Sequence, residues 1–516
     1  MLALKRLMSM QRDRRRRQTQ ARDVSVPLLA KRGSSSRQKH DDSEGKRLKY
    51  SGPDLPEEIW CHIHSLVPMQ DAARASCVSR TFRRCWRYYP NITFRNTIVG
   101  LNRDVRGKEE TASEYASKVN QVLTNHSGIG LKTIKLEFFG HRSCDCCFID
   151  SWLQVAITPA IEELSLVLSS NETTYSFPCP LLTDQCGHSI RYLHLGGCVF
   201  RPAVRLGCFS SLVNLLLYNV RINEDELGVV LSSCSALEQF GFGHNNEITC
   251  LKIPCMLQRL RDLRVVACNK LRAIEIKAPN VSSLSFGKRV QLSLGESLQL
   301  KKLAMSYLCA LHDAHGTLLS TMPNLETLDI TSHLETNIPI MQSQFLCLKY
   351  LTVTVYGYTY PNINDYISLI PFLDASPSLE TFVLNALEPM EHKSIFRDGS
   401  HLRRMPGHRH DKLKSVTIIG FNSAKSLIEL TVHIIENAVS LESLTLDTIG
   451  CALRCSDSYI DKCIAMREST RKEVPSALLA VQKYIQCKIP STVKLDVLGP
   501  CGRCHASSMS LRCVSD

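Results

Sequence analysis

A hydrophobic motif, L-x-x-L-x-L with Ile, Val, Phe or Met admitted at the apolar positions, returns along most of this chain. It opens at Leu131, Ile161, Ile190, Leu212, Leu237, Leu260, Val281, Leu300, Leu325, Leu348, Leu379, Leu413 and Leu441. From Ile190 the intervals are 22, 25, 23, 21, 19, 25 and 23 residues, then 31, 34 and 28 as insertions enter. Unrelated strands of an α/β domain would not hold such a period. A unit this short cannot close its own apolar face, so neighbours must stack and bury a continuous core. The motif leucines then point inward and the residues between them outward, because side chains alternate along a strand.

This spacing is the leucine-rich-repeat signal, and it predicts an α/β solenoid of horseshoe form over residues 120–390. The extended pattern wants Asn or Cys at its ninth position, where a buried side chain bonds the turning backbone; Cys198, Asn245 and Cys268 supply it. The expected concave, substrate-facing set is Tyr192, His194, Asn214, Tyr218, Arg264, Lys302, Asp329, Tyr350 and Thr352. Its mixture of aromatic, hydroxyl and oppositely charged groups suits a protein ligand better than a phosphate backbone.

Charge is distributed unevenly. Residues 1–52 hold 15 basic and 5 acidic side chains, so ten of the thirteen net positive charges lie there. The arm includes Arg14, Arg15, Arg16 and Arg17, then Lys46, Arg47 and Lys49, with too few apolar residues to offset the entropy of ordering. It reads as a disordered basic arm: a nuclear-import candidate, or a solvated tail with no address. The near-neutral remainder argues against a broad polyanion-binding surface. Twenty-three scattered cysteines, and a polar, Arg-rich start, favour a reducing compartment, nucleus or cytoplasm. The longest obvious apolar run, Leu212 to Val220, is broken by Asn214 and Asn219, so no membrane span is expected.

Composition changes abruptly at Gly52-Pro53-Asp54-Leu55-Pro56. Pro56 suits a helix start, and Ile59, Ile63, Leu66 and Val67 give that helix one apolar face before Pro68 stops it. Asp71 is expected to cap a second helix carrying Ala72, Ala75 and Val78, and Phe82, Cys85, Trp86 and Tyr89 mark a third. Three helices in about 40 residues are near the lower limit for independent stability, so the module must lean on a following domain or on another protein.

Leu55-Pro56-Glu57-Glu58-Ile59, Ile63, Leu66-Val67-Pro68, Asp71 and Cys77-Val78-Ser79-Arg80-Thr81-Phe82-Arg83 resemble an F-box, in order and spacing. The resemblance places an F-box at 53–95. It implies docking on a Skp-type adaptor, which connects to a cullin and so to a ubiquitin-conjugating enzyme. Carried over by position, the adaptor-facing residues are Leu55, Pro56, Ile59, Ile63, Leu66, Met69, Val78 and Phe82; Phe82 stands where many members have Trp. The competing reading is a DNA-binding helical unit, since Arg80, Arg83, Arg84 and Arg87 line the third helix behind a basic arm. That helix lacks an Asn or Gln set to read base edges.

After a polar insertion between Ala386 and His410, a strand at Lys412–Phe421, a helix-like run at Ser426–Ala438 and a strand at Leu441–Leu446 follow, with Ile489–Val493 later. This unit resembles the FBD region that plant F-box proteins often carry after their repeats, here residues 391–500 ahead of a tail at 501–516. Cys501-Gly502-Arg503-Cys504-His505 matches a haem-attachment signature too short to carry weight, and Cys144-Asp145-Cys146-Cys147 with His141 lacks a second ligand pair nearby. No nucleophile elbow, phosphate loop, H-E-x-x-H or dinucleotide fingerprint occurs. The expectation is a non-catalytic substrate-recognition subunit of a Skp-cullin-F-box ubiquitin ligase, with a protein substrate and no cofactor or metal. The alternative is a nucleic-acid-associated repeat protein.

Overall fold

The computed structural model describes residues 55–95, 108–138, 146–168, 175–182, 184–202, 209–295, 300–314, 322–332, 344–356, 365–387, 392–397, 401–406, 408–450 and 468–500. The basic arm, His141, Cys144 and Asp145 of the cysteine cluster, and the tail lie outside them. The chain divides into two compact units, residues up to 136 with 147–161, and 137–146 with everything from 162 on.

The first unit begins with α1 (Glu57–Ser65), α2 (Met69–Val78) and α3 (Arg80–Trp86). Pro56 and Pro68 stand at the N-caps of α1 and α2, where a missing N–H costs nothing, and Glu57 and Glu58 meet the positive end of α1. Asp71 is not a cap as expected: Pro68 already starts the helix, leaving Asp71 in the first turn, paired with Arg74 at 3.1 Å. The side-chain cap falls instead to Ser79, whose hydroxyl accepts the Phe82 N–H.

The small core of these helices is aromatic. His64, 1% exposed, stacks on Phe82 at 5.3 Å and meets Tyr89 edge-on, while Trp86 stacks on Tyr89. The helices lean on the chain that follows them. β1 (Asn91–Arg95), α4 (Lys108–Thr124), most of β2 (Thr133–Phe138) and most of α5 (Cys146–Ala156) belong to this unit. The N–H groups of Lys132 and Thr133 donate to the Pro90 carbonyl, Ser127 donates to Arg87, and the Tyr115 hydroxyl reaches Phe94.

His126 locks this junction. Its Nδ1 accepts the Gly128 N–H at 2.9 Å, so Nε2 must carry the proton it shares with the Tyr89 carbonyl at 2.9 Å.

The second unit is a solenoid. Its main sheet is parallel and runs β3 (Glu163–Leu168), β4 (Tyr192–Gly196), β5 (Asn214–Tyr218), β6 (Gln239–Gly243), β8 (Asp262–Val266), β10 (Ser283–Phe286), β12 (Lys302–Tyr307), β13 (Thr327–Ser332), β14 (Tyr350–Tyr356), β15 (Thr381–Leu387), β16 (Ser415–Ile419), β17 (Ser443–Asp447) and β18 (Lys494–Leu498). The FBD-like stretch therefore extends the repeats. Register is constant: Leu164, Leu193, Leu215, Phe240, Leu263, Leu284, Leu303, Leu328, Leu351, Phe382, Val416 and Leu444 form one row. None of that row is more than 1% exposed. Each such side chain contributes on the order of 1.5–3 kcal/mol by leaving water.

Five strands end in a left-handed corner at the eighth position of the motif. Gly197, Asn219, His244, Ala267 and Gly420 take positive φ there, at 68°, 55°, 53°, 50° and 78°. A Cβ on Gly197 would lie 1.7 Å from the Leu168 carbonyl oxygen, and on Gly420 2.1 Å from that of Ala386. The ninth residue then fastens the turn. Asn245, 2% exposed, donates to the carbonyls of Val220 and Ile222 and accepts the N–H groups of Glu247 and Ile248.

Interval length decides the returning limb. The units opening at Leu237, Leu260 and Val281 are 23, 21 and 19 residues long and return through β7 (Cys250–Ile253), β9 (Ala273–Ile276) and β11 (Gln291–Leu294), which form a second parallel sheet. The longer units opening at Leu212 and Leu413 return through α6 (Glu224–Ser232) and α7 (Lys425–Asn437). An extended residue advances about 3.3 Å and a helical one about 1.5 Å, so a short unit spans the same distance only as a strand.

Candidate protein-binding surfaces

The eight residues expected to face an adaptor separate by burial. Ile59, Leu66 and Val78 are 45%, 64% and 64% exposed, and Pro56 is exposed with them. Leu55, Ile63, Met69 and Phe82 are half-buried. Phe82 is largely taken up internally, between His64 and the edge of Trp60 at 5.7 Å. The Met69 sulfur accepts the Thr93 N–H at 3.2 Å and so ties α2 to β1. What remains outside is an apolar rim that the helices cannot cover, the kind of surface another protein's groove takes. Arg80, Arg83, Arg84 and Arg87 are all exposed, with Arg84 only 3.9 Å from Glu57 in a solvated pair.

The nine residues expected on the concave face share one side of the main sheet. Tyr192, Asn214, Lys302 and Tyr350 fall in one register row, His194, Arg264, Asp329 and Thr352 in the next, and Tyr218 in a third. The aromatic end is packed: Tyr192 meets His194 edge-on, His194 meets Tyr218, and Ser165 hydrogen bonds His194 Nδ1 at 3.3 Å. Tyr218 lies across Gly241 and Gly243: a Cβ on Gly241 would approach its hydroxyl oxygen to 2.5 Å, and one on Gly243 its ring to 2.8 Å. Glycine there gives the tyrosine its resting place. Burial raises the pKa of Tyr218, with Arg264 acting in the opposite sense, and burial likewise raises that of Asp329.

Arg264 pairs with Asp262 at 2.9 Å, and Glu326 sits between Lys301 at 3.2 Å and Lys349 at 3.9 Å. Tyr350 stands out on this face at 48% exposure.

The import candidates Arg14, Arg15, Arg16, Arg17, Lys46, Arg47 and Lys49, and the weighed Cys501, Cys504 and His505, lie outside the described residues. Among the described residues, metal-ligand groups gather at Asp374, His410 and His433. Sequence reading missed this set because three separate segments supply it, and only His408-Arg409-His410 hints at it.

The family model for the At1g61320/AtMIF1 leucine-rich-repeat domain matches residues 122–502, and that for the F-box domain matches residues 53–93. The FBD-associated F-box protein At1g66310 of Arabidopsis thaliana is 23% identical over 448 residues, covering 80% of this chain and 92% of its own. The F-box/FBD/LRR-repeat protein At1g78750 of the same plant is 21% identical over 465 residues, covering 82% and 94%. An internalin from Listeria monocytogenes is a distant structural likeness, 13% identical with TM-score 0.33 over 64% of this chain and 81% of its own.

Proposed function

The chain belongs to the At1g61320/AtMIF1 leucine-rich-repeat family and is a plant F-box/LRR protein, and from that premise we propose that it is the substrate-recognition subunit of a Skp-cullin-F-box ubiquitin ligase. The observation that carries this reading is the rim of Pro56, Ile59, Leu66 and Val78, apolar surface left outside a helical core already filled by His64, Phe82, Trp86 and Tyr89. The repeats hold a protein substrate on the face bearing Tyr192, His194, Tyr218 and Tyr350. The chain performs no chemistry of its own. Rate enhancement comes from holding a substrate lysine near a charged conjugating enzyme, which makes a bimolecular attack effectively intramolecular. The arm at 1–52 directs the complex to the nucleus, a part of the proposal read by localising a chain that lacks its Arg and Lys clusters.

The test uses the full chain, because the helical module is bonded to residues 126–133. A purified plant Skp adaptor is expected to bind it with little dependence on salt. Ile59→Asp with Leu66→Asp is expected to abolish binding without altering the far-ultraviolet spectrum. Equal binding by the double variant, or binding that weakens steeply with salt as phosphate contacts do, would overturn the adaptor reading.

A further inference from the structure

Asp374 closes the short helix Ile370–Asp374, His410 lies in the insertion ahead of β16, and His433 lies in the middle of α7. One ligand atom from each lies within 4.8 Å of the others. His410 and His433 are 7% and 6% exposed. Asp374 Oδ1, His410 Nε2 and His433 Nε2 are all buried, and none has a hydrogen-bond partner. His410 Nε2 faces Asp374 Oδ1 at 3.6 Å, beyond hydrogen-bond reach. Three buried polar atoms converging on one point without satisfying each other is an expensive arrangement for a protein to keep empty.

The surroundings orient these atoms. The His410 N–H donates to the Asn437 carbonyl at 3.0 Å, which pins the loop to the end of α7. The Asn437 amide donates to the His433 carbonyl at 2.8 Å and lies 3.4 Å from His433 Nδ1, on the far side of the ring from the unpartnered nitrogen. A third imidazole, His408, approaches the other carboxylate oxygen of Asp374 at 3.6 Å from a solvent-exposed position.

We propose that Asp374, His410 and His433 form a divalent-metal site, zinc by the character of its nitrogen and oxygen donors, with the fourth position toward His408. A tetrahedral zinc with bonds of about 2.0–2.1 Å sets its donors roughly 3.3 Å apart. The Asp374–His410 separation already approaches this, and the remaining separations, within 4.8 Å, close toward it as the ion binds. The ion neutralises the carboxylate, satisfies all three atoms and clamps the insertion to α7. This metal site is independent of the adaptor rim and does not rest on the proposed ligase role.

The experiment titrates Zn²⁺ and Co²⁺ into the metal-stripped full chain. The expected result is one tight equivalent, visible ligand-field bands of tetrahedral Co²⁺ without the thiolate charge-transfer absorption that the cysteines would give, and a higher melting temperature. His433→Gln should remove the equivalent and the bands. Should that variant not fold, His410→Gln, in the insertion and outside α7, and His408→Ala replace it; the first should remove the equivalent, and the second should weaken binding by about 10–100-fold as a partner of the Asp374 carboxylate. The proposal fails if the wild-type chain gives no nitrogen-oxygen cobalt bands, if folded His433→Gln retains them, or if neither replacement variant weakens binding.

Discussion

Arg403 grips Glu429 by three hydrogen bonds, from its own backbone N–H at 2.8 Å to Oε1 and from Nε and Nη2 at 2.9 and 2.6 Å to Oε2. The Glu429 side chain is wholly buried, and the outer edge of the guanidinium pairs with Asp365 at 2.7 and 3.0 Å. The insertion ahead of β16 is thereby anchored to α7 through a carboxylate that has left water.

Arg403→Ala leaves that buried carboxylate without its countercharge. Breaking a buried pair costs about 3–5 kcal/mol, and because the Arg403 side chain is half exposed the loss is expected nearer about 2–3 kcal/mol in urea unfolding. Arg403→Lys should recover little, since an ammonium lacks the fork that engages two carboxylates. Adding Glu429→Gln to Arg403→Ala should restore part of the loss. If the double variant is no more stable than the single, the uncompensated charge is not the cause.

The strand corners respond oppositely to glycine gained and lost. Gly197→Ala should destabilise by more than about 2 kcal/mol, because the new Cβ collides with the Leu168 carbonyl at an already unfavourable φ. Ala267→Gly, at φ 50°, should stabilise by up to about 1 kcal/mol as left-handed strain is released. Melting temperatures of the two variants should move in opposite directions.

Asn245→Ala removes the side chain that satisfies three buried backbone groups and one partly buried one, and a loss of about 3 kcal/mol is expected. Asn245→Cys should be milder, since Cys198 and Cys268 occupy the same station in other units and are buried there. Parallel denaturation of the two variants tests the order.

Acid should loosen the first unit. Burial holds the pKa values of His64 and His126 below their ordinary 6.5. Between that value and the lowered folded ones the unfolded chain binds more protons, so stability is full above about pH 6.5 and falls as pH drops through the window. A second proton on His126 would also have to sit on Nδ1, displacing the Gly128 N–H. His126→Gln should flatten the pH dependence of a tryptophan-fluorescence unfolding midpoint; an unchanged slope would show that His126 does not carry it.

Much of the solenoid was legible because each unit repeats one local constraint. Leu193, Leu215 and Leu263 fall where the motif puts them, Asn245 does what its ninth position requires, and the nine outward residues share a face. Other features depend on the particular neighbour. Asp71 looked like a cap but Pro68 had already begun the helix; Phe82 turned toward His64; His244 and Ala267 occupy left-handed corners with no glycine to mark them. The pairing of Arg403 with Glu429, and the convergence of Asp374, His410 and His433, join segments whose spacing obeys no motif, and side-chain pairing over such separations leaves no periodic trace.

The constant register of the main sheet has a consequence for how such a surface can change. Every outward residue has an address, a row and a strand, and its inward neighbours belong to a different set of positions. Tyr350 can be exchanged without touching Leu351, and Arg264 without touching Leu263. The chemistry of this face can therefore be rewritten one cell at a time, like characters on a fixed grid, while the frame that carries them stays as it was.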